Sequence, residues 1–208
     1  MNDRSFLGPY DRLYASRKGS LLWQSCPGRL VATIGSYVPN GRVLDIGCGD
    51  GKNALYLEQH GYAVHGVDVS RLALNGLYSR FAAAGREPMG TYEISDIHCL
   101  ELSRGYDAVV SYGLFHCLRP GLRVAVHQLL QQNIRANGVL LFSSLSNDIP
   151  MPDNHGTGRV QLPCRDELNE LFRGWRIEHF EAGLIQEDHL PLIGNHKHSA
   201  IWIIARKG

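Results

Sequence analysis

The sequence predicts an α/β fold in which a doubly wound, mainly parallel sheet is covered by helices on both faces. Short apolar runs rich in β-branched residues alternate with longer segments of helical periodicity over most of the chain. The alternation stops near the end, where two β-like runs are joined by a loop instead of a helix, which predicts an antiparallel hairpin. The chain has 208 residues, 44% of them hydrophobic, so one domain with a sizeable core is expected.

Five runs are predicted to be strands, and three segments between them are predicted to be helices. The strands are nearly continuous in apolar residues, which is typical of a parallel sheet buried on both faces. In the third helical segment, Val126, Leu130 and Ile134 recur at helical spacing. The predicted strands are Arg42–Ile46, Ala63–Asp68, Gly90–Ile94, Tyr106–Ser111 and Val139–Ser144, and the predicted helices are Lys52–Gln59, Arg71–Ala84 and Pro120–Arg135.

The two ends of the chain depart from this alternation. Before the first strand, helical segments are predicted at Pro9–Arg17 and Pro27–Tyr37. After the fifth strand, a helix is predicted at Arg165–Phe172, followed by β-like runs at Trp175–Glu181 and Ser199–Ala205. A long loop is expected between these last two runs.

A glycine-rich turn follows the first predicted strand. In the stretch DIGCGDG, Asp45 and Gly47 end the strand, and Gly49 and Gly51 lead into the next helix. Glycines there permit positive φ and close approach of a ligand to the backbone, and the helix offers unpaired N–H groups. A dinucleotide site would have the spacing GxGxxG, whereas Lys52 stands where the third glycine of that pattern would be.

Acidic residues end two further predicted strands. Asp68 lies at the tip of the second strand, 21 positions after Gly47, where a carboxylate accepts hydrogen bonds from ribose hydroxyls. A simple tight turn predicts no acid there, so Asp68 indicates a nucleoside ligand. After the third strand, Asp96 is either a second ligand group or a turn residue bonded to its own backbone.

The acid and glycine pattern resembles the (D/E)xGxGxG signature of class I S-adenosylmethionine-dependent methyltransferases. LDIGCGDGKNALYLEQHGYAVHGVDVS, ELNELFRGWRI and AIWIIARKG look most like the small tellurite-resistance and thiopurine-type members. The resemblance implies a Rossmann-like, seven-stranded sheet with an N-terminal helical cap (1–40), a cofactor-binding core (41–144) and a substrate-side loop, helix and terminal hairpin (145–208).

The implied cofactor is S-adenosyl-L-methionine, with S-adenosyl-L-homocysteine as product. The family places the methionine end at the glycine turn, where a carboxylate favours the cationic sulfonium, and an acid after the third strand at the adenine. An aromatic ring on the cap could also face the sulfonium. The residues predicted to contact the cofactor are Tyr14, Asp45, Gly47, Cys48, Gly49, Gly51, Asn53, Asp68, Val69, Asp96, Ile97, Ser111 and His116.

Methyl transfer by in-line SN2 displacement depends mainly on positioning, and a general base is needed only when the acceptor arrives protonated. His116 in GLFHCL, His155 in the loop after the fifth strand and His189 in the last loop are the predicted catalytic candidates. His116 could instead be a packed, hydrogen-bonded histidine. The sequence leaves open whether the acceptor atom is oxygen, nitrogen, sulfur or a heavier chalcogen.

Two more histidines, His196 and His198, would share one face of an extended chain and could join His189 in a metal site. No HxxxH or HExxH spacing supports that reading, so solvated or substrate-facing histidines are predicted and no metal. In the tellurite-resistance group, which the chain resembles, a histidine and an arginine near this final loop are associated with the acceptor. This sequence has His189 and Lys197 in similar places but no arginine between Arg176 and Arg206, which argues against an oxyanion acceptor.

Composition restricts the setting and the partners. Five scattered cysteines without a CxxC pair favour a reducing compartment, and the start of the chain lacks the layout of a secretory signal, so a cytoplasmic enzyme is expected. A net charge of +1 predicts a small-molecule methyl acceptor, with no nucleic acid and no membrane as partner, and a monomer or homodimer. The alternatives are a non-catalytic module that binds S-adenosylmethionine and an NAD-dependent oxidoreductase.

Overall fold

The structure is a computed structural model that describes residues 11, 14–15, 26–97, 100–102, 105–149, 161–189 and 193–208. For 187–189 and 193–194 it describes the backbone alone. None of the described helices is both long and apolar enough to cross a membrane.

The described residues form one seven-stranded sheet with the strand order β3-β2-β1-β4-β5-β7-β6. Strands β1 to β5 are mutually parallel, whereas β7 runs antiparallel to both β5 and β6. The predicted fold class is therefore confirmed. The strands are β1 (Arg42–Ile46), β2 (Ala63–Asp68), β3 (Thr91–Ile94), β4 (Tyr106–Tyr112), β5 (Ile134–Ser146), β6 (Arg176–His189) and β7 (Ile193–Arg206).

Helices cover both faces of this sheet, so the core consists of two layers, one on each face. On one face, α1 and α2 pack with residues such as Val43 and Val110, and on the other α3 and α4 pack with Leu44 and Val109. Burying both faces of the central strands explains why they are almost wholly apolar. The helices are α1 (Lys52–Gln59), α2 (Arg71–Ala83), α3 (Pro120–Asn133) and α4 (Arg165–Leu171), with 3-10 turns at Val31–Ser36 and Phe115–Cys117.

The terminal hairpin is longer than predicted. The segment expected to be a loop continues both strands: Gln186 pairs with Lys197, and His189 pairs with Ile193. His189 and the pair His196 and His198 therefore lie on strands, and the prediction that a loop carries them is wrong. The backbone of each of these polar residues is paired with the opposite strand of the hairpin. Such pairing between strands cannot be seen in the pattern of polar and apolar residues along one strand.

Two other element predictions also need correction. Strand β5 begins at Ile134, directly after α3, and not at Val139. The segment Pro27–Tyr37 forms only the 3-10 turn Val31–Ser36, where β-branched residues and Gly35 weaken the preference for a longer helix. Most of the predicted helix Pro9–Arg17 lies outside the described residues, although Asp11, Tyr14 and Ala15 within it are helical.

Candidate active site

The glycine turn folds back onto the neighbouring strand. The backbone N–H groups of Gly47 and Cys48 both donate to the carbonyl of Val67, at 2.8 and 3.1 Å. Gly47, Gly49 and Gly51 have φ values of 71°, 56° and 80°, which L-residues with a Cβ rarely adopt. The turn thus depends on glycine at the positions that the sequence pattern marks.

The predicted ribose acid, Asp68, lies at the tip of β2 and contacts the turn directly. Its Oδ2 accepts from the Gly49 N–H at 2.8 Å, and its Oδ1 accepts from the Ser70 N–H at 2.9 Å. Burial raises the pKa of Asp68, while these backbone donors act in the opposite direction. Ser70 also caps α2 and donates its hydroxyl hydrogen bond to Asp11 of the N-terminal segment. The Asp68 carboxylate therefore connects β2 with the glycine turn and, through Ser70, with Asp11 of the N-terminal segment.

Asp45, at the end of β1, has a buried oxygen that is not satisfied. Its side chain is 1% exposed, and its Oδ2 has no hydrogen-bond partner among the described residues. Burial and, secondarily, the charge of Asp68 raise the pKa of Asp45 to about 7, while Lys52 acts to lower it. A buried carboxyl oxygen without a partner beside the glycine turn is the chemistry expected of a group that meets a ligand.

The structure adds an ion pair that the sequence analysis missed. Asp50, in the middle of the turn, is fully buried, and its Oδ1 accepts from Nη2 of Arg80 at 2.9 Å. The Arg80 Nε also donates to the Asp50 carbonyl at 2.8 Å, so α2 holds the turn by side chain and backbone. No local sequence signal distinguishes Arg80 from a solvent-exposed arginine of the same helix.

The third strand brings its own predicted residues to the same edge. The Ser95 N–H donates to the Asp68 carbonyl at 3.1 Å, which places the segment carrying Asp96 and Ile97 beside the tip of β2. Asp96 is exposed and Ile97 is half-buried. Val69, directly after Asp68, is 65% exposed, so an apolar side chain faces outward at this edge.

Three further residues that are predicted to contact the cofactor are buried or half-buried. Asn53 is buried, and its Oδ1 accepts from the Gly28 N–H at 2.8 Å, which ties α1 to the segment before β1. Ser111 is fully buried, and its Oγ has no hydrogen-bond partner among the described residues. Tyr14 is helical and half-buried.

His116 lies in the 3-10 turn after β4, at the carboxyl edge of the sheet. Its Nδ1 accepts from the Leu145 N–H of β5 at 3.3 Å, so the neutral ring carries its proton on Nε2. A general base needs a lone pair on the nitrogen that faces the acceptor, and in this tautomer only Nδ1 has one. In this tautomer the His116 Nε2 can donate a hydrogen bond, and the role of His116 as a base stays a prediction.

The other candidate histidines are described unequally. His155 lies outside the described residues, and for His189 the structure describes the backbone of β6 alone. His196 and His198 do share a face of β7 as predicted, with ring centroids 4.6 Å apart. Within the part of the chain that the structure describes, no three His, Cys, Asp or Glu side chains form a group that could hold a metal ion.

The family described as "Methyltransferase domain" matches residues 43–138, the part of the chain that runs from β1 into β5. Residues 43–138 are therefore similar to a methyltransferase domain. The predicted class, an S-adenosylmethionine-dependent methyltransferase domain, is thereby confirmed, and its glycine turn and acids lie within the matched range, as do Ser111 and His116.

The chain is similar to three named proteins. A probable S-adenosyl-L-methionine-dependent methyltransferase, TehB of Haemophilus influenzae (strain 10810), is 25% identical over 69% of this chain and 49% of its own length. The crystal structure of TehB from Haemophilus influenzae has a TM-score of 0.74 at 20% identity, over 94% of this chain and 66% of that one.

A 2-heptyl-1-hydroxyquinolin-4(1H)-one methyltransferase of Mycobacteroides abscessus is 29% identical, over 86% of this chain and 77% of its own length. A Burkholderia thailandensis 1,6-didemethyltoxoflavin-N1-methyltransferase, solved with 1,6-didemethyltoxoflavin and S-adenosylhomocysteine, has a TM-score of 0.63 at 19% identity, over 86% of this chain and 77% of that one. The chain spans about half the length of TehB and of most other curated relatives it matches.

Behind His116, the methyltransferase domain has a fully buried arginine that joins three parts of the chain. Arg123 of α3 donates from Nε to the Phe115 carbonyl at 2.9 Å and from Nη1 to both carboxylate oxygens of Glu167 at 3.0 and 2.9 Å. Its Nη2 donates to the Gln161 carbonyl. Arg123 thus fixes the turn that carries His116 against α3 and α4, and the sequence analysis did not single it out.

Proposed function

We propose that this protein binds S-adenosyl-L-methionine and transfers its methyl group, by in-line displacement at the methyl carbon, to an oxygen, sulfur or heavier chalcogen atom of a small molecule. One arrangement carries the proposal: the turn of three positive-φ glycines, Asp68 hydrogen-bonded to it, and the buried Asp45, all at the carboxyl edge of β1 and β2. Ligands of open α/β sheets bind at this edge.

In the proposed complex, Asp68 accepts hydrogen bonds from the ribose hydroxyls. Both of its oxygens already accept one backbone N–H, and a carboxylate oxygen has a second lone pair for a hydroxyl. Asp96 meets the adenine amino group, and the exposed Val69 and half-buried Ile97 cover the ring. The methionine end lies along the turn between Gly47 and Gly51, near Asp45, and Tyr14 covers the sulfonium.

The acceptor side is proposed to lie beyond β4, β5 and β7, with His116 as a donor that orients the acceptor. His155 and His189 are proposed as further acceptor groups, and a protonated acceptor would need one of them, or water, as its base. The acceptors in the names of two relatives, a hydroxyquinolinone and 1,6-didemethyltoxoflavin, support a small molecule for this chain as well.

The wider setting is part of the same proposal. The scattered cysteines support a cytoplasmic location, and a net charge of only +1 supports the absence of nucleic acid and membrane partners. A monomer or homodimer is also proposed, and the division into a cap (1–40), a cofactor core (41–144) and a substrate-side part (145–208) is proposed from the resemblance to small methyltransferases.

Calorimetry with S-adenosylhomocysteine tests the cofactor, and labelled S-adenosylmethionine with a panel of thiols, phenols, hydroxy acids, carboxylates and chalcogen oxyanions tests the reaction. Asp68→Ala should weaken S-adenosylhomocysteine binding by about 1–3 kcal/mol, as for lost hydrogen bonds to a charged group. Asp107→Ala, at the opposite edge of the sheet, is the matched control and should bind normally. No heat with wild-type protein would refute the proposal, and binding without turnover on any acceptor would favour a non-catalytic module.

A further inference from the structure

The surroundings of Asp45 are unusually poor in groups that could stabilise its charge. Asp45 pairs with Gly66 of β2. The space that a side chain at Gly66 would need is filled by the ring of Tyr92 and the thiol of Cys48, because an added Cβ would lie 2.5 and 3.2 Å from them. The Tyr92 hydroxyl is directed away, since it donates to Glu58 at 2.6 Å. An aromatic ring and a buried thiol therefore line the strand beside the carboxyl group.

The charges around Asp45 do not neutralise it either. Asp68 of β2 repels it, and Cys48 and Tyr92 are the further titratable groups on the turn and on β3. Lys52 of α1, whose Nζ lies 5.5 Å from the Tyr112 ring centroid, lowers the pKa of Asp45, but by less than burial and Asp68 raise it. The third aspartate of this region, Asp50, is paired with Arg80.

In the free protein, these conditions favour the protonated form of Asp45. An ionised carboxylate would keep a buried oxygen without a hydrogen bond next to a second carboxylate, which is costly in a medium of low dielectric constant. The pKa of Asp45 is accordingly raised to about 7. A cation arriving at the turn would reverse this preference because it supplies the missing counter-charge.

We propose that Asp45 makes the site discriminate between cofactor and product by charge: it holds a proton in the free protein, releases it when a sulfonium cation binds, and takes it back after methyl transfer. The proposal rests on the proposed function, because it needs a ligand whose sulfur changes from cationic to neutral. Once the methyl group has left, the sulfur of S-adenosylhomocysteine carries no charge, so the site holds one positive charge fewer and the protonated form of Asp45 is favoured again. The product complex therefore lacks the attraction that ionised Asp45 provides for the cofactor, and the preference for S-adenosylmethionine grows as the pH rises.

The test is calorimetry of S-adenosylmethionine and S-adenosylhomocysteine binding at pH 6 and pH 8, in two buffers that differ in ionisation enthalpy. For the wild-type protein, the ratio of the two affinities should shift towards S-adenosylmethionine by up to about tenfold between pH 6 and pH 8. Binding of S-adenosylmethionine at pH 7 should release about half a proton more than binding of S-adenosylhomocysteine, whose amino group is the same.

Two variants identify the group responsible. Asp45→Asn should make the affinity ratio independent of pH and remove the extra proton release, whereas Asp107→Asn, which alters a carboxylate at the opposite edge of the sheet, should retain both. An affinity ratio that still changes with pH in Asp45→Asn would overturn the assignment. If Asp45→Asn does not fold, carbon-13 NMR of wild-type protein labelled at aspartate carboxyls decides. One resonance must titrate near pH 7 and move to its ionised position with S-adenosylmethionine alone.

The outcomes separate this inference from the proposed function. If both ligands bind the wild-type protein with a ratio that does not change with pH, the proton exchange at Asp45 is refuted and the cofactor assignment stands. If neither ligand binds, both proposals fail together.

Discussion

The two halves of the sheet edge are built in different ways. At β1 and β2, the site is made by short connections: the turn that follows Asp45 bonds to Val67 and to Asp68 of the adjacent strand. Beyond β4 and β5, the geometry depends on distant partners, such as Arg123 with Glu167, 44 positions apart. The half that we propose to bind the cofactor (the cofactor half) is therefore largely encoded locally, whereas the half that we propose to hold the acceptor (the acceptor half) is assembled by tertiary contacts.

The largest expected effect tests the acceptor half. Arg123→Leu should lower the free energy of unfolding by about 3–5 kcal/mol, because it removes one partner of a buried ion pair and leaves the Phe115 carbonyl without its donor. Urea unfolding measures the loss, and calorimetry of the folded fraction should give nearly normal S-adenosylhomocysteine affinity. Equal losses of stability and cofactor affinity would show that the halves are not separable.

The next effect tests the cofactor half with a matched pair of glycines. Gly51→Ala should cost about 2–3 kcal/mol of stability and weaken S-adenosylhomocysteine binding at least tenfold, because φ is +80° and the new Cβ would lie 2.6 Å from Cγ of Leu77. Gly61→Ala has φ of +81° and nothing within 4 Å, so it should cost about 1 kcal/mol and leave binding unchanged. If the two variants lost similar amounts of stability and affinity, the close approach of Leu77 in α2 to Gly51 would not be the cause of the effect.

An effect of intermediate size is expected in the pH dependence of stability, and it comes from a buried histidine of α3. His127 of α3 is buried against Phe172 and Trp175, and burial lowers its pKa from 6.5 to about 4. The unfolded chain then binds more protons, so stability is complete above about pH 6.5 and falls between there and pH 4, by about 1–2 kcal/mol at pH 5. His127→Phe should flatten this part of the stability profile measured by urea unfolding. An unchanged slope would assign the acid sensitivity to other groups.

The smallest effect concerns a surface contact between the segment before β1 and the terminal hairpin. Arg29 and Glu181 form an ion pair of 2.5 Å with half-exposed side chains, so Glu181→Gln should cost less than about 1 kcal/mol. The loss should shrink in high salt, and the more exposed Glu170, paired with Arg173, provides the control variant Glu170→Gln. A loss well above 1 kcal/mol would mean that this contact holds the two ends of the chain together.

The sequence by itself determined the elements whose signals are local. Strands β1 and β2 and helix α1 have the predicted bounds, since apolar runs and glycine positions act through neighbouring backbone. The spacing of the glycines marked the positions that have positive φ, and the acid at the tip of β2 is the one that contacts the turn. These features depend on φ, ψ and side-chain volume within a few residues.

Only the tertiary structure decided the features that need a distant partner. The proton position on His116 follows from the Leu145 N–H, and the burial of Arg80 follows from Asp50, 30 positions earlier. The length of the terminal hairpin follows from cross-strand pairing, which could not be predicted from the polar residues in this part of the sequence. The physical reason is the same in each case. The free energy of a buried charge, of a histidine tautomer or of a paired strand end depends on its hydrogen-bond or ion-pair partner, and that partner is in place only after the chain has folded.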